Sequence, residues 1–257
     1  MAGNAESTCR AIAHHIAARL EIGVRFVDGI PWREREAMLD AGRIHLCWIC
    51  GLPYVWKVDA PDASIEVCAV PVMLNARYAG QPVYYSDVVV RRDSAFAAFD
   101  DLRGASWAYN EPRSHSGYNV VRHHLSELGV DGGFFGRVVE SGAHQASLAM
   151  IADGTIDASA IDSTVLEEEL RRRPALESKI RTVATLGPSP MPPWVMHRSV
   201  PAALRIAVTG ALLDMHGDEA GRAILAQWGI SHFTAVSDSH YDPIRTMARA
   251  AEGVSLV

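Results

Sequence analysis

Segments with strand character alternate with segments of helical character along most of this chain. Near the start, GVRFVDG (23–29) is strand-like, PWREREAMLDAGR (31–43) is helical, and IHLCWIC (44–50) is strand-like again. PYVWKV (53–58) indicates a helical turn, and IEVCAVPVML (65–74) another strand. Such alternation builds mainly parallel sheets with helices on their faces, so the sequence predicts an α/β fold.

The alternation continues through the rest of the chain, where glycines and prolines mark the ends of the segments. A helix is predicted at the N-terminus from Ser7, which would cap it, to Leu20. Further strands are predicted at 82–94, 105–112, 135–142, 155–163, 180–187 and 194–198. Further helices are predicted at 96–104, 117–129, 143–154, 164–174, 200–216, 217–228 and 242–252. The charged segment EEELRRR (167–173) is predicted to be a solvated helix face.

A proline-rich segment, GPSPMPPW (187–194), separates two groups of β/α units and predicts two lobes. The chain would leave the first lobe near residues 84–90 and return near 182–193. The predicted boundaries are 1–86 with 188–257 for the first lobe and 87–187 for the second. Ligands of open α/β sheets bind beyond the carboxyl ends of the strands, so a binding cleft between the lobes is expected.

Composition and charge exclude several classes of protein. The chain of 257 residues carries 24 Lys and Arg against 30 Asp and Glu, so it lacks the basic balance of nucleic-acid-binding domains. It has no run of about 18 apolar residues that would span a membrane, and its N-terminus has no basic segment followed by an apolar one. The four cysteines are too few for a disulfide framework, and we predict no metal or cofactor.

The segment NEPRSHSGYN (110–119) is the richest in chemistry. Pro112 keeps the preceding residue extended, and Ser114 or Ser116 suits the N-cap of a helix that begins near Gly117. Three interpretations stay open: a helix cap, a nucleophile, and a cradle in which hydroxyls and helix-start amides hold a small anion. The nucleophile needs an oriented base, and the segment is not a Gly-x-Ser-x-Gly elbow.

A second turn of the same kind favours the anion cradle. In ESGAHQASL (140–148) a predicted strand is followed by Ser141, Gly142 and His144, and then by a helix. His144 would therefore lie at a helix start near the same cleft. By itself such a histidine is more often a capping or core residue.

These turns, with IHLCWICGLPYVW, YYSDVVVRRDS and HYDPIRTMARA, resemble the phosphonate, phosphite and phosphate substrate-binding proteins of ABC transporters. The resemblance covers residues 11–254 and implies the two-lobed type II periplasmic-binding-protein fold, with no catalysis. It implies an oxyanion as ligand, a transporter permease as partner and an extracytoplasmic location. The ligand-binding residues it implies are Ser114, His115, Ser116, His144, Tyr84 or Tyr85, Asp162, Trp48 and Tyr54.

The chain departs from the family's pattern at two places. Thr164 and Pro193 stand where members that bind aminoalkyl phosphonates have carboxylates, which argues against an ammonium-bearing ligand. The family's first strand is absent before the first helix, so we expect an unpaired edge in the first sheet. The absence of an export signal from this chain makes a cytoplasmic location the alternative.

Two other functions stay open. An enzyme on the same fold would use Cys47 or Cys50 with His45, or His144 with Asp162 as an acid/base pair. A cytoplasmic sensor of a small anionic metabolite is the second alternative.

Overall fold

The computed structural model describes residues 5–256, which divide into two compact units. One unit contains residues 5–83 with 190–242, and the other contains 84–189 with 243–256. The helices and strands, in chain order, are α1 (Glu6–Leu20), α2 (Trp32–Asp40), β1 (Leu46–Trp48), α3 (Gly51–Val58), β2 (Ile65–Met73), β3 (Val83–Arg91), β4 (Ser106–Tyr109), α4 (Val120–Glu127), β5 (Arg137–Glu140), α5 (His144–Ala152), β6 (Ala158–Asp162), α6 (Ser163–Arg172), β7 (Ile180–Pro190), β8 (Trp194–His197), α7 (Ala202–Leu213), α8 (Glu219–Ala226), β9 (Ile230–Thr234) and α9 (Asp242–Ala250).

The C-terminal residues belong to the second unit, although the sequence assigned them to the first. The guanidinium of Arg122 on α4 donates to the carbonyl oxygens of Ala251 (2.5 Å) and Val254 (2.7 Å). Val254 and Leu256 are buried in the second unit's core. These contacts join residues far apart in sequence, and they hold residues 251–256 against the second unit.

The first sheet has the strand order β1-β8-β2-β9, and its neighbouring strands run antiparallel. Val195 on β8 pairs with Cys47 on β1 and with Val67 on β2. Because β8 lies between them, β1 and β2 point the same way without pairing. The α/β two-sheet class is confirmed, but the predicted excess of parallel pairs does not hold in this sheet. The strand β9 was not predicted.

One strand predicted for the first unit does not form. Residues 23–29 (GVRFVDG) contain no strand, and β1 is an edge of the described sheet, paired on one side with β8. An extended segment becomes a strand only when a neighbour satisfies its backbone N–H and C=O groups.

The second sheet has the order β5-β4-β6-β3-β7, with β4 parallel to both β5 and β6. Residues alternate between the faces of β3: Val88 and Val90 pack with Trp107 and with α4, whereas Val89 packs with α5 and α6. The three parallel strands end at one edge of the sheet, and each leads into a helix. The loops after β4, β5 and β6 are thereby brought together.

Two local predictions from the sequence are wrong. Helix α1 begins at Glu6, so Ser7 lies inside it and does not cap it. In EEELRRR, Glu168 and Glu169 are buried, each only 4% exposed, so the segment is not simply a solvated face. Glu168 contacts Arg171 and Arg172, and Glu169 contacts Arg173, because buried carboxylates need paired charges.

Candidate functional site

Ser114 caps the helix that follows β4. Its backbone is extended (φ −71°, ψ 132°), and its Oγ accepts a hydrogen bond from Gly117 N at 3.1 Å. A π-helical turn over His115–Asn119 follows and continues directly into α4. The cap predicted at Ser114 or Ser116 is therefore confirmed at Ser114, with the helix starting two residues earlier than expected.

The cap changes which donors the turn offers. The amide hydrogen of Gly117, which the sequence suggested for an anion, is already bonded to Ser114. Ser114 still has its own hydroxyl hydrogen, since its oxygen acts here as the acceptor. Ser114 and Ser116 are each 3% exposed, so this polar turn is buried. Buried polar groups require partners, which a bound anion would supply.

The second turn reaches the first through His144. His144 is the first residue of α5, as predicted, and its Nε2 lies 3.1 Å from Ser116 Oγ. The Nδ1 atom of the same ring is buried and has no hydrogen-bond partner among the described residues. A buried ring nitrogen without a partner costs free energy, so its neighbourhood suits a further polar group.

Gly117 allows the two turns to approach. A Cβ atom at this position would lie 2.0 Å from Asn110 Oδ1 and 3.1 Å from His144 Cε1. Asn110 Oδ1 is itself buried and without a hydrogen-bond partner in the described part of the chain. The glycine thus places an amide and an imidazole, each with an unpaired polar atom, against one short stretch of backbone.

Ser114, His115, Ser116 and His144 form a buried polar cluster, and burial keeps both of its histidines neutral. It lowers the pKa of His144 to about 3, and it lowers the pKa of His115 to about 3 with a smaller contribution from His123. At neutral pH each ring therefore carries one N–H donor and one nitrogen acceptor. The cluster acts through neutral hydrogen-bonding groups.

Asp162 lies at the end of β6 and caps α6. Its Oδ1 accepts from Thr164 N (2.9 Å), Thr164 Oγ1 (2.7 Å) and Val165 N (3.4 Å). Burial raises the pKa of Asp162 to about 6, and the charge of Asp87 adds to the rise. Its predicted contact with a ligand oxygen stays a prediction, because the visible partners of Oδ1 belong to the helix.

We predict that Asp162→Asn stabilises the protein at pH 7. Asparagine keeps the helix cap and removes a carboxylate whose folded-state pKa is raised from 3.8 to about 6. The unfolded state binds fewer protons than the folded state between these values, so stability falls as pH rises through them and the full cost is present at pH 7. The gain should be about 1–3 kcal/mol for this half-buried group.

The measurement is urea unfolding at pH 7 and pH 4. The advantage of Asp162→Asn should shrink at pH 4, where the wild-type carboxyl is mostly protonated when folded. The exposed Asp100→Asn is the control and should change stability by less than about 0.5 kcal/mol. An equal effect of Asp162→Asn at both pH values would contradict a raised pKa of Asp162 in the folded protein.

The remaining predicted site residues differ in their surroundings. Tyr84 is buried on the face of β3 that also carries Val88, whereas Tyr85 faces the other way and its N donates to Ser163 Oγ. Trp48 and Tyr54 belong to the first unit. The Trp48 indole N–H donates to Pro192 O at 2.8 Å, and the Tyr54 hydroxyl to Asp238 Oδ1 at 2.9 Å. Their ligand contacts stay predictions.

Three polar residues of the site were missed from the sequence. Asn110 and Asn119 lie within the predicted segment, but their role depends on side-chain directions that the pattern does not reveal. Ser189, whose Oγ lies 3.0 Å from His115 Nε2, is 74 residues from its partner. Its only sequence signal is its position in the proline-rich return between the two groups of β/α units.

Cys47 is not an activated nucleophile. Burial raises the pKa of Cys47 to about 11, so its thiol stays protonated at neutral pH. Within residues 5–256, no group of three or more His, Cys, Asp or Glu side chains is placed to hold a metal ion. No helix in the same range is long and apolar enough to cross a bilayer.

The chain has an open two-sheet α/β architecture, and two helix starts of its second unit meet at Ser116 and His144. The model of the family described as "ABC transporter, phosphonate, periplasmic substrate-binding protein" matches residues 2–241. The chain therefore belongs to the family of periplasmic substrate-binding proteins of phosphonate ABC transporters. Proteins of this family capture a solute for uptake by a transporter, as the sequence resemblance implied.

Solved structures show the same fold. A binding-protein component of a phosphonate ABC transporter from Pseudomonas aeruginosa aligns with a TM-score of 0.86 and 17% identity, covering 98% of this chain and 83% of that one. PhnD1 from Prochlorococcus marinus, in complex with methylphosphonate, aligns with a TM-score of 0.84 and 17% identity, covering 98% and 94%. A Xanthomonas citri protein bound to ATP aligns with a TM-score of 0.74 and 16% identity, covering 98% and 94%. The type II periplasmic-binding-protein fold is thereby confirmed.

Proposed function

We propose that this chain captures a small tetrahedral oxyanion of the phosphonate, phosphite or phosphate class for an ABC transporter. The observation that carries the proposal is the hydrogen bond between Ser116 and His144, beside a buried His144 Nδ1 that has no hydrogen-bond partner in residues 5–256. It joins two helix starts, where backbone N–H groups and the helix dipole favour negative charge. A tetrahedral anion accepts several hydrogen bonds at once, which is what such a cluster of donors requires.

The neutral state of the histidines defines how the anion is held. Affinity comes from aligned N–H and O–H donors that replace the anion's water, rather than from an ion pair. Ser114 supplies its hydroxyl, and the hydrogen-bonded Ser116–His144 pair supplies one further donor. That donor is the Ser116 hydroxyl when His144 Nε2 donates to it, and the His144 Nδ1–H when Nε2 accepts from Ser116. Tyr84 is proposed as a phenolic donor, and Asp162 as a carboxyl that accepts from a protonated ligand oxygen.

The ligand is proposed to lack an ammonium group. Thr164 stands where relatives that bind aminoalkyl phosphonates carry a carboxylate, and its hydroxyl is engaged by Asp162 at 2.7 Å. Methylphosphonate, which occupies the Prochlorococcus relative, is therefore the first probe to use, with phosphite and phosphate beside it. We propose that the protein works outside the cytoplasm, passes its ligand to a permease and performs no turnover.

Ser116→Ala should weaken binding of methylphosphonate by about 1–3 kcal/mol, or roughly 5- to 150-fold. The substitution removes the hydroxyl that His144 contacts, so the Ser116–His144 pair loses either its donor to the anion or the bond that holds the donating ring in place. Isothermal titration calorimetry measures the effect, and the exposed Ser178→Ala is the matched control that should bind like the wild type. Equal affinity of both variants for all three anions would reject this site, and phosphorus NMR showing product would reject a pure binding function.

A further inference from the structure

Ser189 is a buried serine in β7, the last strand of the second unit. It contacts residues 114–117, which we call the anion turn. It lies near the end of β7 and is 1% exposed. Its Oγ is 3.0 Å from Nε2 of His115, the residue between the two serines of the turn. Ser189 is therefore connected to the cluster through an imidazole, although its neighbours in sequence give no sign of this.

The direction of the hydrogen bond follows from the other side of the ring. Asn119 Nδ2 lies 3.2 Å from His115 Nδ1, and an amide nitrogen can only donate, so Nδ1 accepts. A neutral imidazole with an accepting Nδ1 carries its proton on Nε2. Burial, which lowers the pKa of His115 to about 3, keeps the ring neutral. Nε2 consequently donates to Ser189 Oγ.

This direction leaves the hydroxyl hydrogen of Ser189 available. The contact with His115 is the only hydrogen bond that the Ser189 side chain makes within the described residues. A buried hydroxyl that accepts but has nothing to donate to loses free energy, and an anion oxygen would supply the missing acceptor.

We infer that Ser189 is a further anion-binding donor, with its hydroxyl directed by the Asn119–His115 pair. The inference rests on the proposed function, because it places Ser189 at the same oxyanion site. His115 acts here as a positioning residue: both ring nitrogens are engaged by protein, so its side chain does not donate to the ligand. This revises the direct contact that the sequence resemblance implied for His115.

The binding test compares Ser189→Ala with the exposed Ser178→Ala in calorimetric titrations of methylphosphonate. We expect Ser189→Ala to bind about 10- to 100-fold more weakly, as for loss of a hydrogen bond to a charged group. Ser189→Thr, which keeps the hydroxyl, should retain most of the affinity. If the wild type binds and Ser116→Ala weakens binding while Ser189→Ala does not, this inference fails and the proposed function stands. If the wild type binds none of methylphosphonate, phosphite and phosphate, the proposed function fails as well.

The tautomer of His115 gives a second readout that does not depend on a variant. Long-range proton–nitrogen NMR of the wild-type protein distinguishes a ring protonated at Nε2 from one protonated at Nδ1. The inference requires the Nε2–H form at neutral pH, both without ligand and with methylphosphonate. A ring protonated at Nδ1 would make Ser189 the donor to His115 and would overturn the inference.

Discussion

Gly117→Ala is expected to weaken binding of methylphosphonate at least about 100-fold, the loss of roughly two hydrogen bonds to a charged ligand. The added Cβ would lie 2.0 Å from Asn110 Oδ1 and 3.1 Å from His144 Cε1. The Asn110 amide must move away, and the His144 ring must shift from Ser116. Both helix starts then lose the alignment on which the proposed affinity depends.

The matched control is Gly210→Ala on α7, where an added Cβ meets nothing within 4 Å. This half-buried helix position should gain about 0.5–1 kcal/mol of stability and bind as the wild type does. The double variant Asn110→Gly/Gly117→Ala removes the obstructing amide and should recover part of the affinity. Wild-type binding by Gly117→Ala alone would show that the packing of these turns does not control the site.

Trp107→Ala is expected to lower the stability of the second unit by about 3–5 kcal/mol. Trp107 is fully buried on β4, stacks on Phe135 at 4.3 Å between ring centroids and meets Phe99 edge-on at 6.3 Å. Its removal leaves a large cavity under the strand that leads into the anion turn. The loss of stability is smaller the more the surrounding rings collapse into the cavity.

Hydrogen exchange with mass spectrometry measures this effect unit by unit. Amides of β4, β6 and α4 should exchange faster in Trp107→Ala, whereas those of β1, β2 and β8 should change little. Trp56→Ala on α3 is the control, since this indole is 45% exposed and its loss leaves no comparable cavity. If the amides of the second unit exchange at the wild-type rate in Trp107→Ala, then Trp107 does not stabilise the core of that unit as described.

Local chemistry made much of the second unit predictable from the sequence. Ser114 is read as a cap because Pro112 and a helical segment flank it, and His144 is placed because a strand and a glycine turn precede it. Parallel strands bring the loops at their carboxyl ends together, which predicts that these two turns converge. The 3.1 Å contact between Ser116 and His144 follows from that rule.

Features set by distant pairing were not predictable in the same way. The insertion of β8 between β1 and β2, which makes the first sheet antiparallel, depends on a segment about 120–150 residues away. Residues 23–29 have the composition of a strand, yet composition does not supply a hydrogen-bonding neighbour. The contact between His115 and Ser189 likewise depends on how the proline-rich return packs, and no local pattern specifies it.

The most direct test of the oxyanion site is to follow the ring nitrogens of His144 by NMR during a titration with methylphosphonate, phosphite and phosphate. At least one anion should move the His144 signals along a saturable curve that matches calorimetry, while the exposed His14 stays unchanged. Saturable binding of an anion that leaves the His144 ring undisturbed would place the ligand elsewhere and contradict the account.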